Sequence, residues 1–81
     1  MKTPEDIRFY QCFGEILREA REEKFVTLQT AAEVAEVSYE QMERIEAGAE
    51  ITCQRIDQLA RHLEVPVNEL FARCEARMKE K

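Results

Sequence analysis

The sequence predicts an all-α fold of five short helices, and three observations carry that prediction. Apolar residues recur at spacings of three and four along most of the chain, which gathers them on one face of a helix. Only two glycines and two prolines interrupt 81 residues, of which 36% are charged and 44% hydrophobic, a composition rich in Glu, Arg and Lys that favours helix. Thr or Ser stands just before four of the five periodic stretches, where a hydroxyl caps the first free backbone N–H groups. No stretch carries a competing strand signal. The length fits one domain spanning residues 1–81, whose core buries roughly 60% of the unfolded surface.

Taken in order, Thr3 caps the first helix, Pro4 fills its first position and Glu5 and Asp6 its first turn. Phe9, Phe13, Ile16, Leu17 and Ala20 form its core face, Cys12 borders that stripe, and the helix ends near Lys24. Arg18, Glu19, Glu22 and Glu23 read as a solvated surface. The second helix, about Leu28 to Ala35 behind Thr27, turns Leu28, Ala31, Ala32 and Ala35 inward, and small residues let two helix axes approach closely. Ser38 followed by Gln41 is the reciprocal capping pattern, so the third helix runs from Tyr39 to about Ala47, with Gly48 as a left-handed stop. Met42 and Ile45 share its inner face, while Tyr39, Glu40, Glu43, Arg44 and Ala47 point elsewhere. Residues 27–48 thus read as a helix-turn-helix unit whose working surface is the outer face of the third helix.

Thr52 caps a fourth helix with the stripe Ile56, Leu59, Ala60 and Leu63, and Pro66 ends it by biasing Val65 away from helical backbone. The fifth runs over about 67–79 with Val67, Leu70, Phe71, Cys74 and Met78 on one side. Leu70 and Phe71 complete the core. Cys74 and Met78 exceed what so small a core needs, so Leu70, Phe71, Cys74 and Met78 are expected to form a dimerisation stripe. The alternative is a frayed, charged tail from Arg73 to Lys81.

Chemistry is excluded more readily than binding. No nucleophile–base pair, glycine-rich phosphate loop or metal-ligand cluster stands out, so neither an enzyme nor a cofactor or metal protein is expected. Cys12, Cys53 and Cys74 contain no CxxC pair and have only His62 for company, which reads as reduced, apolar filler beside an ordinary surface histidine. No apolar run approaches the ~20 residues that span a bilayer, and MKTPEDIRFY lacks signal-peptide features, so a cytoplasmic protein is expected. The net charge of −5 runs against the basic footprint usual in nucleic-acid binders.

Gly14-Glu15-Ile16-Leu17-Arg18 with Arg21, Val37-Ser38, Arg44-Ile45-Glu46-x-Gly48, Ile56-Asp57-Gln58-Leu59-Ala60 and Val65-Pro66-Val67-Asn68-Glu69-Leu70-Phe71 together resemble the XRE/Cro-type, lambda-repressor-like helix-turn-helix family. The resemblance covers about residues 13–71. It implies a transcriptional regulator that binds double-stranded DNA in the major groove, as a homodimer on a palindromic operator. It further implies an ion pair between Arg21 and Glu46 and base-reading roles for Tyr39, Glu40 and Arg44, with Ser38, Gln41 and Glu43 on the same face. Thr27 and Gln29 would anchor the second helix on phosphates.

Three departures qualify this. Leu28 stands where the family commonly has a glutamine, with Gln29 one place late. Phe25 and Glu36 stand where it usually has glycines, and a non-glycine residue at positive φ costs roughly 1 kcal/mol, so the turn is expected to be remodelled. Between Thr27 and Thr52 lie six acids, Glu33, Glu36, Glu40, Glu43, Glu46 and Glu50, against the single base Arg44. This supports an alternative, an acidic protein-interaction module that engages a basic patch on a regulator, toxin or polymerase. A basic rim of Arg18, Lys24, Arg55 or Arg61 beside the third helix favours DNA, and an acidic rim favours protein.

Overall fold

A computed structural model describes residues 3–80. It contains α1 (Pro4–Glu23), α2 (Leu28–Ala35), α3 (Tyr39–Glu46), α4 (Cys53–Leu63) and α5 (Val67–Lys79), an all-α, five-helix architecture. Thr3, Thr27, Ser38 and Thr52 each accept a hydrogen bond from the N–H three residues on, which fixes where the first four helices start. The reciprocal bond is made in α1, where Asp6 returns to the Thr3 N–H at 3.2 Å. It is not made in α3, contrary to the Ser38–Gln41 pattern: the Ser38 hydroxyl accepts from the Gln41 N–H, but the Gln41 side chain stays exposed.

The first four helices end alike. Phe25, Glu36 and Glu64 lie at φ of 58°, 59° and 57°, and Gly48 at 115°. Directly after each, an N–H reaches back five residues: Val26 to Arg21, Val37 to Ala32, Ala49 to Arg44 and Val65 to Ala60, at 2.8–3.0 Å. These are Schellman closures, which satisfy helix-end carbonyls. The expectation of a remodelled turn is therefore corrected. Phe25 and Glu36 adopt the left-handed conformation at some cost, because the closure keeps two backbone hydrogen bonds and the following valine packs on the core.

Packing follows from small and large residues placed opposite each other. Ala31, Ala32 and Ala35 bring α2 close to α3 and α4, against Met42, Ile45, Ile56 and Leu59 in one core. At Gly14, α1 crosses the end of α3 with no room for a side chain: a Cβ there would lie 2.6 Å from the Ile45 carbonyl oxygen and 2.7 Å from that of Glu46. Beside this crossing, Arg21 bonds Glu46 through Nε at 2.8 Å and Nη2 at 3.1 Å, and its Nη1 donates to the Val26 carbonyl at 2.9 Å. Glu46 holds the guanidinium above its ordinary pKa against the opposing effect of burial. Arg55 Nε caps the end of α2 through the Ala35 carbonyl at 3.1 Å.

α5 lies along α1. Phe71 meets Phe9 and Phe13 with ring centroids 6.1 and 5.3 Å apart. Arg77 reaches Glu15 and Glu19, and Arg73 reaches Glu23 and Glu69. Leu70 and Cys74 are 0% exposed, and Phe71 and Met78 pack partly buried on the same core. The expectation that Cys74 and Met78 exceed the needs of the core is corrected. At 1.5 Å rise per residue the 20-residue α1 is about 30 Å long, long enough to run beside all of α5, where it buries Leu70 and Cys74 and leaves Phe71 and Met78 part-exposed. The alternative of a frayed tail is corrected too, since α5 stays helical to Lys79.

Three stability predictions follow from these contacts. Gly14→Ala forces α1 away from two α3 carbonyls and should lower the unfolding free energy by about 1–3 kcal/mol, the usual cost of overpacking, measured by urea denaturation. Glu46→Ala leaves Arg21 largely buried and unpaired, and should cost about 3–5 kcal/mol, enough to unfold much of the population at 37 °C by circular dichroism. Phe25→Gly removes a side chain that is 94% exposed, so it loses no packing while relieving the left-handed backbone. The thermal midpoint should rise, by roughly 4–8 °C for about 1 kcal/mol gained.

Candidate nucleic-acid interface

The inner face of α3 is fixed by Met42 and Ile45, both buried, and by Glu46 on Arg21. At 100° per residue this turns Tyr39, Glu40, Gln41, Glu43, Arg44 and Ala47 outward, and all six are exposed. Tyr39 is 51% exposed. Ser38 opens this face and spends its hydroxyl on the cap.

Alongside lies the start of α2. Thr27 Oγ1 accepts from the Thr30 N–H at 3.1 Å and also contacts Thr30 Oγ1 at 3.0 Å, so its hydroxyl is engaged within the helix. The exposed Gln29 and the remaining first-turn N–H groups are what α2 offers to an anion. Leu28 is half-buried and shares a shallow groove with Arg18, Arg21, Glu43, Glu46 and Ala47. The structure thus brings Leu28 and Glu43 to one groove between α1, α2 and α3, with Gln29 exposed one residue beyond Leu28. Leu70, Phe71, Cys74 and Met78 belong to the separate α1–α5 seam.

Charge on this surface depends on which side chains are already committed. Arg21 is locked to Glu46 and Arg55 to a carbonyl, while Arg61 meets Asp57 at 3.1 Å with both side chains more than half exposed, a weak surface pair. Arg18 lies 3.7 Å from Glu22, with both side chains more than half exposed, a pair too loose to hold it. Arg44 and Lys24 form no ion pair among the described residues. Of the four candidate rim cations, Arg18 lines the groove with Glu43, while Arg61 lines a different one between α4 and α5. Glu33, Glu40 and Glu43 are exposed acids that form no ion pair among the described residues, and Glu36 accepts only an amide hydrogen bond from Gln58 at 3.2 Å.

Three contacts that build the site escaped the reading of the sequence. Gly14 was legible as a cost, a glycine inside a helix in a chain with only two. The carbonyl contacts of Arg55 and of Arg21 with Val26 join residues distant in sequence or in a loop, and no spacing rule reaches them. Among the described residues no group of three or more His, Cys, Asp or Glu side chains is placed to hold a metal ion, and no helix is long and apolar enough to cross a membrane.

Comparison with known proteins gives this geometry a family. A crystal structure of the clp gene regulator ClgR from Corynebacterium glutamicum superposes with a TM-score of 0.84 at 25% identity, over 88% of this chain and 77% of that one. A second ClgR structure from the same organism gives 0.80 at 25% identity, over 86% of this chain and 92% of that one. No curated protein sequence matches the chain significantly. A family model described as a helix-turn-helix domain matches residues 13–72, nearly the span over which caps, turn and ion pair build the fold, and the chain therefore belongs to the helix-turn-helix domain family.

Proposed function

We propose that this chain is a sequence-specific, XRE-type DNA-binding transcriptional regulator that works in the cytoplasm as a homodimer on a palindromic operator. The family and the likeness to a protein described as a gene regulator support the general class. The observation that carries the specific reading is Arg44, exposed on the outer face of α3 and free of any carboxylate among the described residues. In the major groove its guanidinium can bond guanine O6 and N7 together, while Glu40, one turn earlier, can accept from cytosine N4. Tyr39 contacts a phosphate or a thymine methyl, and Ser38, Gln41 and Glu43 border the reading face. Gln29, Thr27 and the first-turn amides of α2 position the domain on the backbone, with half-sites about 34 Å apart in a two-fold dimer. Because Leu70 and Cys74 are internal, a second copy on α5 meets only the part-exposed edges of Phe71 and Met78.

A second reading rests on Glu33, Glu40 and Glu43, exposed without cationic partners among the described residues. On it, the same face engages a basic patch on another regulator, a toxin or a polymerase instead of DNA.

Titration of genomic duplex fragments at low salt separates the two. The DNA reading expects one fragment class bound well above random DNA, with Arg44→Ala losing about 1–3 kcal/mol, roughly fivefold to more than a hundredfold in affinity. With Arg18 and Arg44 the cations of the working face that no firm ion pair holds in each copy, the slope of log K against log salt should be about −4 for a dimer. Glu40→Lys with Glu43→Lys should strengthen binding to all DNA. Absence of any preferred fragment, together with loss of a basic protein partner in that double variant, supports the second reading.

A further inference from the structure

Among the described residues, one apolar knob and one apolar groove are left unmatched by the fold. Phe25, between α1 and α2, is 94% exposed and sits at φ 58°, a left-handed backbone that glycine adopts at lower cost. The phenyl ring thus adds strain and no packing, and an apolar side chain kept exposed in a strained turn points to a contact outside its own chain. The groove lies where α4 ends and α5 begins. It has a volume of about 320 Å³ and a mainly apolar surface, lined by Ala60 and Val65, both buried, the half-buried Val67 and the exposed Pro66. Charge matches as well. Lys24 precedes the knob and Glu64 lines the groove; both are exposed, and neither forms an ion pair among the described residues.

We propose that Phe25 of one copy seats in the α4–α5 groove of a second copy, with Lys24 against Glu64. The same chain supplies both the apolar side chain and the opposite charge that this groove calls for, which is why the occupant is another copy. Knob and groove are different surfaces, so the contact is heterologous: a joined pair keeps a free knob at one end and a free groove at the other, and further copies add in a row. One aromatic side chain buries roughly 150–250 Å², far below the roughly 1,000 Å² of a stable interface. The contact is therefore weak in free solution, with a Kd on the order of 0.1–1 mM. It gains where copies are held side by side, at effective concentrations that reach the millimolar range. Copies on neighbouring DNA sites meet that condition; this consequence rests on the DNA reading, and the contact itself does not.

The test is sedimentation of the full chain without DNA, at concentrations up to about 1 mM, where a contact of this strength is populated. Fluorescently labelled Phe25→Gly, which keeps the groove, is titrated with Val67→Glu, which keeps the knob. A parallel titration uses a chain carrying both substitutions, which keeps neither; each variant is first checked for native helicity by circular dichroism. The labelled chain should bind the knob-bearing chain at least about tenfold more tightly than the chain with both substitutions. A two-fold dimer through any other face binds the two alike. Adding Glu64→Lys to the labelled chain should weaken the binding severalfold, and Lys24→Glu in the knob-bearing chain should restore it. Glu64 is exposed, so this charge exchange, read against an otherwise unaltered knob-bearing chain, decides the matter if Val67→Glu does not fold. Equal binding of both titrants, binding of neither at the highest concentration, or indifference to the charge exchange overturns the proposal.

Discussion

The arrangement of the working face depends on one side chain, Arg21. Its guanidinium binds both oxygens of Glu46 and the carbonyl of Val26, so a single planar fork joins the end of α1, the loop entering α2 and the end of α3. Bidentate geometry fixes orientation as well as distance. Gly14 makes it reachable, because only a bare Cα lets α1 come this close to the α3 carbonyls. Burial sets the stakes: the pair shields two charges that would be costly alone, in a domain whose total stability is about 5–15 kcal/mol. The same pairing removes Glu46 from the acids that a ligand would meet.

Around that joint, the helices are short and need their ends secured. α2 and α3 have eight residues each, well below the length at which an isolated helix is stable in water. Hydroxyl caps at Thr27 and Ser38 and Schellman closures at Glu36 and Gly48 satisfy backbone groups at both ends. Helix 4 contributes the Arg55 contact to the last turn of α2. The reading face is thus set by local hydrogen bonds as much as by the apolar core, which suits a surface that must present side chains in a fixed register.

Local chemistry is also what made much of this legible from sequence. Thr3, Thr27, Ser38 and Thr52 announce helix starts because capping depends on a residue and its neighbour three places on, and the apolar stripes of α1 and α4 need only periodicity. Cys74 and Met78 were misjudged because a stripe reports that a face is apolar without reporting what covers it; the length of α1 supplies the cover. Gln41 could have closed a capping box by spacing, yet the longer side chain remains exposed, while the shorter Asp6 closes one in α1. The acidic count around α3 was plain, but which acids and bases are already partnered is a tertiary property. Only the structure separates Arg21 and Arg55, already committed, from Arg18, Arg44 and Lys24.

That separation frames the functional question. On the proposed DNA reading, a face with few unpaired cations and several exposed acids draws little affinity from phosphates, so discrimination would come from base edges, with Arg44 as its main source and Glu40 favouring a hydrogen-bond donor. The most direct measurement is selection of bound duplexes from a random library by the intact chain and by Arg44→Ala. The account predicts enrichment of a two-fold symmetric motif with a guanine in each half-site and half-sites one helical turn apart, about 10 bp, lost with Arg44. Recovery of unenriched sequence by both proteins, or of one motif by both, would contradict it.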